Sequence, residues 1–279
     1  MVFDFNKPIP ENKGKRPFVV AHRGISTANI PCNTLAAYQI AVQEQVDVVE
    51  IDVDITKDHQ FFIFHPGLEH VFLKNGKSVE ECTAEEVKSF RYLNQDETIT
   101  SYPLPTLQEA FALLKGKAYI AVDKFWRDIK GITEEIRKAG VEKQVIVKIP
   151  NDEKYFEELE RYAPDLMTMV VVWHKDTVSE KLLKRNIRLV AIETLFDSDE
   201  DEIVSDSYIN TMHEKGILLH ANSIIYDEKQ VIGSTHTDDC ALTKSLEDGW
   251  GYYYRKGFDF VQTDWPVQMI RYYDRLTGK

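Results

Sequence analysis

Val48-Val49-Glu50-Ile51-Asp52-Val53-Asp54-Ile55 is an apolar run in which Glu50 and Asp52 stand two residues apart. Successive side chains on a strand point to opposite faces, so these two carboxylates share one face while Val49 and Ile51 share the other. A strand so rich in Val and Ile is covered on both sides, as in a parallel sheet backed by helices. If Val49 and Ile51 meet the helices, Glu50 and Asp52 face the interior or its rim. Two carboxylates held there repel each other and are poorly solvated unless a cation joins them. Oxygen donors of this kind favour Mg2+ or Ca2+ over zinc. The spacing leaves open whether the cation is a metal ion or a lysine or arginine at a solvated strand end.

Seven further apolar runs surround this one: Phe18–Ala21, Tyr119–Val122, Gln144–Ile149, Thr168–Val172, Leu189–Ile192, Ile217–Leu219 and Phe258–Gln262. Between them lie helical patterns at Thr34–Gln45, Thr106–Leu114, Ile129–Lys138, Glu153–Tyr162, Thr177–Lys184 and Ser207–Lys215. Asn33 or Thr34 caps the first, Asn151 the fourth, and Gly140 and Gly216 stop two others. Eight strands alternating with helices predict an α/β fold, a closed (β/α)8 TIM barrel forming a single domain over 1–279. No Gly-x-Gly-x-x-Gly follows the first strand, which removes the main reason to expect a dinucleotide fold. Residues 57–105 break the rhythm with a second apolar run at Phe61–Phe64, a turn at Asn75-Gly76 and a helical pattern at Thr83–Phe90. They are expected to form a small insertion after the second strand. The acidic run Asp197–Asp206 reads as a solvated loop and helix start.

In such a barrel the chemistry sits at the C-terminal ends of the strands. The first strand ends in His22-Arg23-Gly24, the inserted run in His65-Pro66 and the third strand in Asp123-Lys124. The seventh ends in His220-Ala221-Asn222 and the eighth in Thr263-Asp264-Trp265-Pro266. His22 and His65 each follow a buried run. One such histidine is usually structural, but two beside a pair of carboxylates suit acid–base work, because imidazole titrates near neutral pH. Arg23 and Lys124 supply cations for a phosphate, or ordinary ion pairs for Glu50, Asp52 or Asp123. Gly24 and Gly257 read as turn or helix-stop glycines. Trp173, Trp250 and Trp265 suit a pocket mouth or packing. His59, His70, His174, His213 and His236 carry no assigned role.

The 279 residues carry a formal net charge of −12, which argues against nucleic acid as a partner yet allows a small phosphate ligand met locally by cations. Apolar residues make up 43%, enough for a large core, but no run reaches the roughly 20 needed to span a bilayer. Cys32, Cys82 and Cys240 are odd in number and lack CxxC spacing, so neither a disulfide framework nor a zinc site is expected. The first residues show no signal-peptide pattern, and the compartment stays open between cytoplasmic and periplasmic or secreted.

The ordered set His22-Arg23-Gly24, Asn33-Thr34, Val49-Glu50-Ile51-Asp52-Val53 with Thr56-Lys57-Asp58, His65, Pro105-Thr106-Leu107-Gln108-Glu109 and Gln262-Thr263-Asp264-Trp265-Pro266 resembles the glycerophosphodiester phosphodiesterases. The likeness runs from residue 18 to 266 in that family's order. It implies metal-dependent hydrolysis of glycerophosphodiesters to glycerol phosphate and an alcohol. His22 and His65 would be the acid–base pair, and Glu50, Asp52 and Asp123 the ligands of a divalent cation, Mg2+ or Ca2+. Arg23, Lys124 and Asn222 would contact the small-molecule phosphodiester substrate. Asp123 stands where the family's pattern has Glu, with Lys124 immediately after it rather than two residues on. Cys32 replaces a Glu before Asn-Thr, and Pro66 follows His65 where Asp is usual. The rival expectations are a weakened barrel that only binds a phosphorylated ligand and a related phosphodiesterase for another headgroup.

Overall fold

The computed structural model describes residues 4–9, 15–74, 77–225 and 229–278. Eight parallel strands run β1 (Phe18–Ala21), β2 (Val48–Ile55), β3 (Tyr119–Asp123), β4 (Val145–Pro150), β5 (Met167–Trp173), β6 (Leu189–Leu195), β7 (Leu218–Asn222) and β8 (Phe260–Thr263). Each pairs with the next in sequence, and β1 closes the ring by pairing both with β8 (Phe18↔Phe260) and with β2 (Val20↔Val48). The (β/α)8 barrel expected from the sequence is therefore the fold.

The helices that follow the strands are α1 (Leu35–Gln43), α2 (Leu107–Leu114), α3 (Ile129–Ala139), α4 (Glu153–Tyr162), α5 (Ser179–Leu182), α6 (Asp206–Glu214), α7 (Trp250–Lys256) and α8 (Pro266–Leu276). Their starts follow side-chain chemistry. Thr34 caps α1 by accepting from the Ala37 N–H, and Thr106 and Glu109 form a reciprocal capping box on α2. On α4 the cap is Asp152, not Asn151 as the sequence suggested: its carboxylate accepts the Lys154 N–H, and an anion is favoured at a helix N-terminus. The helix expected over Thr177–Lys184 shrinks to a single turn, its opening taken up by Asp176, whose carboxylate accepts from the Val178 and Ser179 N–H groups.

Two apolar layers result. Outward-facing Val49, Ile51, Val122 and Val147 pack under Phe111, Ile136 and Leu159 of the helices. Inside the barrel, Val20, Val48, Ile146, Met167 and Phe260 form a plug with Ile9 and Phe5. The insertion builds its own core from Phe62, Phe64, Val79, Val87, Tyr92 and Leu104. Phe61–Ile63 lies antiparallel on β2, and a hairpin of Arg91–Leu93 with Ile99–Pro103, not foreseen from the sequence, completes it. The expected helix at Thr83–Phe90 is Ala84–Lys88 with Thr83 as its cap. The turn expected at Asn75-Gly76 lies outside the described residues.

Candidate active site

Counting by two along each strand from the plug gives the inner lining of the barrel mouth. Val48 leads to Glu50 and Asp52, Ala121 to Asp123, Ile146 to Lys148, Ala191 to Glu193, Leu218 to His220 and Asn222, and Phe260 to Gln262. The interior thus changes from apolar to ionic partway up, at the end where the βα loops begin. A cavity of about 310 Å³ opens there, lined by His22, His65, Lys124, Lys148, Glu193 and Asn222 among others.

Glu50, Asp52 and Asp123 bring one oxygen each to within 4.8 Å of one another. Glu50 is buried and accepts the Arg23 N–H at 2.9 Å. Burial, with Asp52 alongside, pushes its carboxyl up to about 7. Burial acts on Asp52 in the same sense, but Arg23 and Lys124 outweigh it and hold that carboxyl below its ordinary value. Asp52 Oδ2 takes the Asn33 amide at 2.9 Å and lies 2.9 Å from Arg23 Nε. Its Oδ1, buried, accepts no hydrogen bond among the described residues. Asp123, also pushed up by burial, is drawn well below the carboxylate range by Lys148 and Lys124. An orphaned carboxylate oxygen beside two further carboxylates fits a hard divalent cation.

His22 and His65 flank this cluster with different surroundings. His22 Nδ1 lies 2.8 Å from Asp264 Oδ1, at the end of β8. Burial disfavours the imidazolium, but the bond to Asp264 and its charge more than reverse this, so the pKa of His22 is raised. His65 Nδ1 lies 3.0 Å from the Pro66 carbonyl, which can only accept, so this nitrogen carries the proton. Burial lowers the pKa of His65, and Lys124 and Arg23 add to that against Asp52. Arg23 and Lys124 both sit in the left-handed region, at φ 56° and 60°, which turns the chain over the mouth directly after β1 and β3.

A sequence profile of the glycerophosphoryl diester phosphodiesterase family matches residues 22–224. The chain belongs to that family. It is an enzyme of the phosphodiesterase class, and the match takes in both histidines, the three carboxylates and the insertion. A glycerophosphodiester phosphodiesterase of Caldanaerobacter subterraneus subsp. tengcongensis is 29% identical over 174 residues, covering 57% of this chain and 71% of that one. In fold, this phosphodiesterase is similar to a glycerophosphoryl diester phosphodiesterase from Parabacteroides distasonis, with TM-score 0.75 and 20% identity over 95% of this chain and 88% of that one. It is also similar to an Oleispira antarctica phosphodiesterase solved with the product sn-glycerol-3-phosphate, with TM-score 0.64 and 19% identity over 92% and 97%.

The histidines, carboxylates and cations expected at the site of this phosphodiesterase, His22, His65, Glu50, Asp52, Asp123, Arg23 and Lys124, thus gather at one mouth. Asn222 lies in the wall and donates to Glu193 Oε1 at 2.9 Å. Trp173 lines the cavity, whereas Trp250 is wholly buried and Trp265 is 46% exposed away from its lining. Lys148 and Glu193 are not marked by the sequence pattern, because each is a single charge with no second charged residue two positions away. Lys148 Nζ lies 2.8 Å from Glu193 Oε2 and 3.7 Å from Asp123 Oδ2. The cation nearest Asp123 in sequence, Lys124, is thus joined by one from the next strand. A lysine flanked by Val147 and Ile149 in an inward register was the available signal. Among the described residues, no helix is long and apolar enough to cross a membrane.

Proposed function

We propose that this cavity hydrolyses glycerophosphodiesters to glycerol phosphate and a free alcohol, with a divalent cation held by Glu50, Asp52 and Asp123. The observation that carries the reading is the convergence of these three carboxylates beneath His22 and His65 at one barrel mouth. The family relationship and the product bound to the Oleispira relative support the substrate class. When bound, Mg2+ or Ca2+ supplies Lewis acidity and a fixed positive charge for the phosphate.

The chain's own groups divide the remaining work. Arg23 and Lys124 face the mouth as cations that offset charge building on the phosphoryl oxygens. His65, neutral at pH 7 with its proton on Nδ1, presents the Nε2 lone pair as general base. It takes the proton of the attacking oxygen, either water or the neighbouring glycerol hydroxyl. As that oxygen bonds to phosphorus, the ester bond to the leaving alcohol breaks. His22, kept protonated by Asp264, donates from Nε2 to the departing alkoxide. Where the glycerol hydroxyl attacks, a cyclic phosphate forms, and water then opens it to glycerol phosphate with the two histidines exchanging roles. Asn222, held by Glu193, orients the substrate from the opposite wall.

The test is a panel of glycerophosphodiesters bearing choline, ethanolamine, inositol and glycerol, followed by phosphorus NMR in metal-replete buffer. A glycerol phosphate signal growing in step with the free alcohol is expected. Release of a phosphorylated headgroup with free glycerol, or no turnover of any member, rejects the reading.

A further inference from the structure

We propose that Asp238 is a positioning residue for His22, acting through Asp264; this rests on the reading of His22 as the catalytic acid. Asp238 lies in the long connection between β7 and α7, at the start of the short helix Asp238–Thr243, and is only 3% exposed. A carboxylate so far from water persists only where donors replace its hydration. Asp238 has four. Its Oδ1 accepts from Ser223 Oγ at 2.6 Å, Thr263 Oγ1 at 2.7 Å and Trp250 Nε1 at 2.7 Å. Its Oδ2 accepts the backbone N–H of Asp264 at 2.9 Å.

The two oxygens therefore do different things. Oδ1 gathers the ends of β7, β8 and α7 into one buried knot. Oδ2 reaches the single residue whose side chain holds His22. Asp264 needs that tether, because its own side chain is 52% exposed and its carboxylate meets His22 across 2.8 Å. It stands one residue beyond the last strand residue, Thr263, where ladder bonds no longer fix the backbone. Asp238 supplies the missing bond and sets the direction from which Asp264 meets the Nδ1 proton, leaving His22 Nε2 aimed at the cavity.

The experiment compares kcat and KM for glycerophosphocholine in the wild type, His22→Ala, Asp264→Ala, Asp238→Asn, the Asp238→Asn/Asp264→Ala double variant and Ser223→Ala. Asp238→Asn can keep its carbonyl oxygen in the knot and present its amide to the Asp264 N–H, breaking that one bond. We expect kcat to fall about tenfold with KM changed less than about twofold, and no further loss when the change is added to Asp264→Ala, since residues acting through one contact are non-additive. Ser223→Ala loosens the knot without touching the tether and should leave kcat within about twofold. Should Asp238→Asn fail to fold, Asp238→Glu carries the same expectation. Losses that multiply in the double variant, or an equal loss in Ser223→Ala, overturn the proposal while leaving His22 in place. An active His22→Ala removes the reading of the acid itself, and this proposal with it.

Discussion

Asp52 and Asp123 stand level on neighbouring strands, paired in register across β2 and β3. Two anions are thus held side by side by backbone hydrogen bonding, and what keeps them there is positive charge. Arg23, Lys124 and Lys148 supply part of it. Asp123→Ala removes one oxygen pair of the proposed cation site. The metal concentration giving half-maximal activity should rise by about tenfold or more, since even outer-sphere losses cost that much. An unchanged metal requirement would place the cation elsewhere.

Glu50 makes the same point through pH. Its folded pKa of about 7 exceeds the value of about 4.5 for a solvated glutamate, so the folded state binds the extra proton. Its ionisation therefore costs the metal-free protein nothing below about 4.5, and the cost is complete above about 7. In EDTA at pH 8, Glu50→Gln should be more stable than the wild type by on the order of 1–3 kcal/mol, and the gap should narrow markedly at pH 5. Added Mg2+ should raise the melting temperature of the wild type and not of the variant. Denaturant unfolding of both proteins at the two pH values checks this; a gap that is the same at pH 5 and pH 8 counts against the buried carboxylate pair.

Removing either imidazole, by His22→Ala or His65→Ala, should lower kcat by about 10²–10⁴ in metal-replete buffer. The two environments also set the shape of the pH–rate profile. The proposed mechanism requires His65 neutral and His22 protonated. The acid limb should thus fall below the ordinary histidine value of about 6.5 and the alkaline limb above it. Rates measured from pH 5 to 9 decide it. A profile that climbs steadily to pH 9 would exclude a protonated acid.

The architecture was legible because the strands announce themselves as apolar runs, and the closing pairing of β1 with both β2 and β8 follows from their number. Glu50 and Asp52 were legible because two carboxylates in one apolar strand violate its composition. Lys148 and Glu193 violate it equally, yet each is single, and their partnership spans two strands; only the register shows that they meet. Asp238 was less legible still. It sits in a connection of no regular period, and its value lies in four partners from 223, 250, 263 and 264, which no sequence spacing relates. The Arg91–Pro103 hairpin was missed because only Tyr92 of its strands enters the insertion's core while Ile99 is exposed, so no apolar run marks it.

Lys148 gives a stability prediction. It is fully buried between Asp123 and Glu193, and although burial disfavours its charge, those carboxylates raise its pKa. Lys148→Met leaves Glu193 buried without its cation, which should cost about 3–5 kcal/mol in urea unfolding. Lys148→Met combined with Glu193→Gln should recover much of that loss. A double variant no more stable than Lys148→Met would mean that the pair is not the source of the cost.

The most direct test of the whole account is the rate of glycerol phosphate release from glycerophosphocholine by protein stripped with EDTA, then resupplied with Mg2+ or Ca2+. The account predicts turnover that vanishes on stripping, returns with one of these ions in the wild type, and does not return in a variant carrying Glu50→Gln and Asp52→Asn. Full activity in EDTA, or recovery of that variant by the same ion concentration, would contradict it.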